Sequence, residues 1–344
     1  MTMRRWIKVS VAAAAVLGVG GYIAEPYAQE WMLARNACGG ELPRDAVKQL
    51  APKGSHLEGE ESKYTKGLGS YGCSLTMKGE DVNDKRLVRM AAYTRRDDQD
   101  REFMSLFPEE GFSPQAPVPE GLPGFIDRFG GIQLLLPCPD LGKDAEGRQR
   151  KLLVRTSLGR DVNSGVPGAA YRTAVALANS ASGRLGCGAK PLKAPKGDAV
   201  PADPEDDPKT VPLSQARNTG CGWMTRSGLS QSTDWRVAVG TNNAAPTARC
   251  DLHSADPESP HERSRMAFVA WYGDWSNRLT AEEGNGEPRP MTATARCDGE
   301  AANYALSAAD DIPGVGRAVK ERMFKEFAQD EVRRRGCSGL RFFS

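Results

Sequence analysis

Eight cysteines carry the clearest chemistry in this 344-residue chain: Cys38, Cys73, Cys138, Cys187, Cys221, Cys250, Cys297 and Cys337. The count is even, and no two stand closer than 29 positions. No C-x-x-C pair occurs, so neither a zinc knuckle nor a thioredoxin-type redox couple is spelled out. In an exported chain such a set reads as four structural disulfides. Histidine, the usual general base and the commonest metal ligand, is scarce: only His56, His253 and His261 are present.

Spacing adds to the count. The gaps run 35, 65 and 49 through the first four cysteines and 29, 47 and 40 through the last four, short, long and medium in both halves. Local sequence agrees. Ala37-Cys38-Gly39-Gly40 answers Gly220-Cys221-Gly222-Trp223, and Gly186-Cys187-Gly188 answers Gly336-Cys337-Ser338-Gly339. The pattern reads as an internal duplication. Eight cysteines permit 105 connectivities. Pairing within each half is favoured, because the duplicate copy must work in both sequence contexts. The expected pairs are Cys38–Cys73, Cys138–Cys187, Cys221–Cys250 and Cys297–Cys337, the third-with-fourth pair of each half resting on a helix that packs back on its own sheet.

Other candidate sites are weaker. Asp251, His253, Asp256, Glu258, His261 and Glu262 form the densest group of metal-ligand types, but Pro257 and Pro260 break the segment. It reads as a solvated loop, and no metal is expected. Gly67 to Gly72 spells G-x-G-x-x-G, yet it follows a charged stretch and precedes a cysteine-bearing strand, so it reads as a loop and no cofactor is expected. Trp223, Trp235, Trp271 and Trp275 crowd the second half with no counterparts in the first. Trp271, Tyr272 and Trp275 are therefore the candidate ligand-binding residues, with core packing explaining them equally well. No G-x-S-x-G, S-x-x-K or H-E-x-x-H is present, so no catalytic residue is nominated.

The elements that must position these residues begin with an apolar run from Trp6 to Ala24. It would span roughly 28 Å as a helix, close to the hydrocarbon thickness of a bilayer. Arg4, Arg5 and Lys8 precede its centre, while Glu25 and Glu30 follow it. The positive-inside bias thus makes 1–5 a cytoplasmic tail, 6–24 a transmembrane anchor and the rest extracytoplasmic. A cleaved signal peptide and lipidation at Cys38 are the alternatives.

Beyond the anchor, two related units are expected, 36–190 and 212–344, joined by a Pro- and Asp-rich linker over 191–211. A short helix over 42–51 and an exposed loop over 53–72 open the first unit. Strands follow near 73–77, 87–94, 132–136 and 151–157, with a proline-rich surface insertion from Arg95 to Gly131. The second unit has strands near 235–239, 265–271, 291–296 and 303–307. Helices over Ala169–Arg184 and Gly316–Arg335 close the units, giving an α+β class of antiparallel strands.

The Ala/Gly-rich anchor, the ACGG and RxGC elements, the acidic proline linker and the duplicated four-cysteine unit together resemble exported, membrane-anchored proteins of actinomycete-type bacteria. That resemblance implies a plasma-membrane, cell-envelope location. Its motifs are structural and carry over no catalytic residue. With 46 basic and 44 acidic residues, nothing selects nucleic acid as a partner. The expected partners are the lipid bilayer, through residues 6–24, and an envelope protein or glycan. Three functional readings stand: a non-enzymatic binding protein, an extracellular hydrolase built around His253 or His261, and a structural spacer.

Overall fold

From Ser70 to Met77 every second side chain is buried, the period-two pattern of a strand with one face on a core. The computed structural model describes residues 29–79, 85–107, 111–205, 208–229, 234–256, 259–279, 291–309, 312 and 314–343, with the backbone alone at 255, 256, 259–265, 277 and 278. The expected anchor at 6–24 lies outside the described residues. Among the described residues no helix is long and apolar enough to cross a membrane.

Two seven-stranded antiparallel sheets make up the α+β fold. The first contains β1 (Leu57–Thr65), β2 (Ser70–Met77), β3 (Arg86–Tyr93), β4 (Ala116–Pro117), β5 (Gly124–Ile126), β6 (Ile132–Pro137) and β7 (Lys151–Leu158). The second contains β8 (Thr210–Pro212), β9 (Trp235–Thr241), β10 (Thr247–Asp256), β11 (Ser259–Tyr272), β12 (Thr292–Cys297), β13 (Glu300–Ala308) and β14 (Ser338–Phe343). Their orders are β1-β2-β3-β7-β6-β5-β4 and β14-β12-β13-β11-β10-β9-β8. Read from β1 and from β9, the same five-strand order recurs, β1-β2-β3-β7-β6 and β9-β10-β11-β13-β12, so the duplication extends to topology.

Among the described residues a helical stretch over 29–36 precedes α1 (Arg44–Leu50), α2 (Arg96–Leu106), α3 (Ala169–Arg184) and α4 (Arg317–Arg335). Helices α3 and α4 each cover one face of their own sheet. The first does so with small residues, Ala170, Ala174, Ala178 and Ala181. The second uses Met323, Phe324 and Phe327 against Trp223 and Phe268.

The four disulfides are Cys38–Cys73, Cys138–Cys187, Cys221–Cys250 and Cys297–Cys337, the pairs expected from the spacing. The helix ends explain the second pair of each unit. Gly186 and Gly336 take left-handed backbone, with φ of 66° and 65°. The next amide, that of Cys187 or Cys337, donates back to Ser182 O or Val332 O at 2.9 Å. This Schellman turn delivers each cysteine to the end of β6 or β12, with Cα separations of 4.3 and 4.2 Å.

Several expected loops are ordered differently. The expected loop over 53–72 contains β1 and the start of β2, β1 being an edge strand whose Glu58, Glu60, Glu61 and Lys63 are the charges that discourage edge-to-edge association. The solvated loop around Asp251 and His253 is β10, where both side chains are buried. The acidic linker is docked. Asn179 and Leu192 exchange two hydrogen bonds, Gly168 N donates to Ala199 O at 3.0 Å, and Arg128 pairs with Glu205 at 2.8 Å.

The segment from Arg95 to Gly131 is not a surface insertion. Phe103, Leu106, Phe107 and Phe125 from it are buried against Trp271, Trp275 and Val269 in a third core lying between the two sheets. Its prolines break regular structure, but its aromatic residues supply the apolar area that joins the units.

Candidate functional site

Each sheet has one face on its own helix and one face turned away, and the turned-away faces meet different fates. In β11, Met266, Phe268 and Ala270 face α4, while Ala267, Val269 and Trp271 face the other unit. Trp271 sits edge-on to Phe103 and Phe107 at 5.8 and 4.9 Å, and its indole N–H donates to Gly111 O at 3.2 Å. Trp275 lies beside Phe103 and Phe125. The two candidate tryptophans are therefore together in the seam, fully enclosed.

Further along the same face, β10 turns Thr247, Arg249, Asp251 and His253 away from α4, and all four are buried. What covers them is the segment leading into β4. The Arg249 guanidinium donates to Ser113 O at 2.7 Å, to Phe112 O, and to Asp251 Oδ2 at 2.6 Å. Thr247 donates to the Gln115 side chain at 2.8 Å. Asn242 Nδ2 donates to Leu122 O at 2.9 Å and Val118 O at 3.3 Å. The first unit thus lays an extended segment across the second sheet, held by side chains that grip its backbone carbonyls.

The corresponding face of the first sheet is open. Matching Cys73 with Cys250 sets Ser70, Gly72, Ser74 and Thr76 of β2 against Thr247, Arg249, Asp251 and His253 of β10. All four β2 residues keep contact with solvent. With Lys63 and Thr65 on β1 and Arg89, Ala91 and Tyr93 on β3, they line a shallow trough of about 570 Å³. Its cations, Lys63, Arg86 and Arg89, outnumber its one carboxylate, Glu61. Burial, followed by the nearby Glu102 carboxylate, pushes the Tyr93 phenol above its ordinary value, so it stays a hydrogen-bond donor.

Tyr272, the third expected ligand residue, borders a different crevice of about 490 Å³ at the seam, with Pro246, Lys151, Glu300, Arg334 and Arg335. Its phenol donates to the buried Glu331 carboxylate at 2.6 Å, and the Arg335 guanidinium lies 3.7 Å from its ring centre. Burial first, and Glu331 second, hold the Tyr272 phenol far above its usual range. Arg335 Nη2 in turn donates to Asn242 O and Ala245 O at 2.9 and 2.8 Å. Lys151 pairs with Glu300 across the crevice, and Arg334 and Arg335 are held by Glu331.

A second seam pocket, of about 320 Å³, is similarly self-satisfied. Arg96 donates to Asp274 Oδ1 at 3.1 Å, and Lys151 meets Glu300 at 3.1 Å and Asp274 at 3.8 Å. Asp144 lies nearby. Desolvation opposes its ionisation, but the backbone and side-chain hydrogen bonds of Arg148 and its charge take the carboxyl down to about 2.

The histidines are dispersed. His253 is buried in β10, His261 falls on β11, and His56 contacts Glu30 of the helical stretch over 29–36. Among the described residues no three His, Cys, Asp or Glu side chains gather as a metal site. The open trough had no signal in the sequence, because Ser, Gly and Thr at alternate positions describe any solvent-facing strand. Its significance comes from comparison with β10, whose equivalent positions are covered. Comparison with protein families, curated proteins and solved structures returns no match, so a functional reading must stand on this geometry.

Proposed function

We propose that this chain is a membrane-anchored, extracytoplasmic binding protein whose open β1–β2–β3 face takes an extended, acidic segment of a cell-envelope polypeptide. One observation carries the reading: the same face of the duplicated unit is already occupied, by residues 112–118 of the first unit, held through backbone carbonyls and polar side chains. A peptide lying across a sheet in this way is read by side chains that donate to its carbonyls, and Arg89, Lys63 and the Tyr93 phenol are donors on the open face. The cation excess favours a segment carrying carboxylates. Four disulfides suit an oxidising compartment, in keeping with an extracytoplasmic place.

The test is photo-crosslinking in cells from a reactive side chain placed at Ser74, in the trough, with Lys48 on the exposed side of α1 as the control position. A polypeptide captured from Ser74 but not from Lys48, and lost when Lys63→Glu and Arg89→Glu are added, supports the reading. Equal capture from both positions, or capture indifferent to the charge reversals, counts against it.

A further inference from the structure

The first residues described form a helical stretch over 29–36, and it exposes the wrong kind of side chain for water. Trp31 and Met32 are 51% and 49% exposed, and they are the only sequence neighbours among the exposed large apolar residues described. The Arg35 and Arg44 guanidinium groups lie 5.0 and 5.5 Å from the Trp31 ring centre, one on the same helical stretch and one at the start of α1. Glu30, the nearest carboxylate in sequence, is engaged by His56 Nδ1. An exposed indole flanked by two arginines is the side-chain set that settles at a lipid headgroup layer, where the ring spans the polar boundary and the cations meet phosphate.

Two distances fix where this cluster must be. Cys38, fully buried and bonded to Cys73, stands seven residues after Trp31, so the helical stretch is tied closely to the first unit. On the other side, Trp31 stands seven positions after Ala24, the end of the expected anchor. That length of chain reaches about 10 Å as a helix and at most about 25 Å extended. The exposed indole is therefore within reach of the headgroup layer, and what decides whether it sits there is the chemistry of the side chains around it.

We propose that Trp31 and Met32, with Arg35 and Arg44, seat the first unit on the headgroup layer of an anionic phospholipid membrane, making it a surface-docked body and not one swinging on a free stalk. This inference rests on the anchor of the preceding reading.

The full chain is reconstituted in nanodiscs of mixed phosphatidylglycerol and phosphatidylcholine containing a lipid with a nitroxide at headgroup depth. Trp6→Phe removes the tryptophan of the anchor, and Trp223, Trp235, Trp271 and Trp275 are at most 4% exposed. The expected result is quenching in the Trp6→Phe chain that is lost when Trp31→Phe is added. It is lost again with Arg35→Glu and Arg44→Glu, or in discs of phosphatidylcholine alone. Equal quenching with and without Trp31, or in anionic and neutral discs, overturns the proposal. Alkaline washing of cell membranes separates the two levels. A chain released by the wash defeats the anchor and the docking together, whereas a chain that is retained, with Trp31 unquenched, defeats the docking alone.

Discussion

The two units solve the same problem of burial with the same five-strand order, the same pair of bridges and the same helix position, and they part company on the face turned away from the helix. In the second unit that face is deep interior: Trp271, Val269 and Ala267 on β11, then Arg249 and Asp251 on β10, all covered by the first unit. In the first unit only β5, β6 and β7 are covered this way, by α2 and the seam, while β1, β2 and β3 stay open. A duplicated fold that covers one copy of a surface with a piece of the other has turned that face into interior. The remaining copy keeps the same strands with the face open. Side-chain chemistry follows the split, with Arg249, Asp251 and His253 needing partners inside, and Gly72, Ser74 and Thr76 needing none outside.

Trp271→Ala strikes the comparison hardest. The substitution removes one of the two tryptophans of the seam and strips Gly111 O of its indole donor. Loss of a fully buried tryptophan costs about 3–5 kcal/mol. Because the lost contacts lie between units, denaturant unfolding is expected to show the midpoint fall and the transition broaden as the units begin to separate. A variant within about 1 kcal/mol of the parent would mean the seam is not what couples them.

Much of this architecture could be read before the coordinates. Apolar runs announced β2, β3, β6 and β7, and cap glycines placed directly before Cys187 and Cys337 marked where α3 and α4 end. The repeated cysteine intervals pointed to bridges within each copy, which still leaves three pairings in each; a helix packing back on its own sheet favoured joining the third cysteine to the fourth. What could not be read was long-range covering. The prolines from Pro108 to Pro123 announce irregular backbone but say nothing of what it lies against, although Phe103, Leu106 and Phe107 at helical spacing carried a hint of a buried side. Likewise Ala248, Cys250 and Leu252 alternate with Arg249, Asp251 and His253 as in any half-exposed strand. Only the carbonyls of Phe112 and Ser113 convert that polar row into interior.

Arg249→Leu tests whether the grip on those carbonyls matters. The side chain is nearly fully buried, and its removal leaves the Asp251 carboxylate and two backbone carbonyls without their donor. Breaking a buried pair while keeping one charge costs several kcal/mol; with Asp251 retaining slight solvent contact, a loss of about 2–4 kcal/mol is expected. The double variant Arg249→Leu, Asp251→Leu removes the stranded charge and should recover part of that loss. Thermal unfolding of the two variants side by side checks both statements, and a double variant no more stable than the single one would count against a stranded carboxylate as the cause.

Arg89→Ala carries the smallest expected effect and the sharpest contrast. Arg89 projects from β3 on the turned-away face, the same side of the first sheet on which β10 carries Arg249 in the second, yet among the described residues it meets no ion-pair partner. A surface cation with no partner contributes little, so stability should stay within about 0.5 kcal/mol of the parent. Any crosslinked partner captured from Ser74 should weaken nonetheless, because a guanidinium with free donors is what an extended acidic segment would engage. The two measurements together discriminate. A clear loss of stability would mean Arg89 supports the fold and that the trough is interior in some arrangement not described above. Unchanged stability with reduced capture is the signature of a residue kept for something outside the chain.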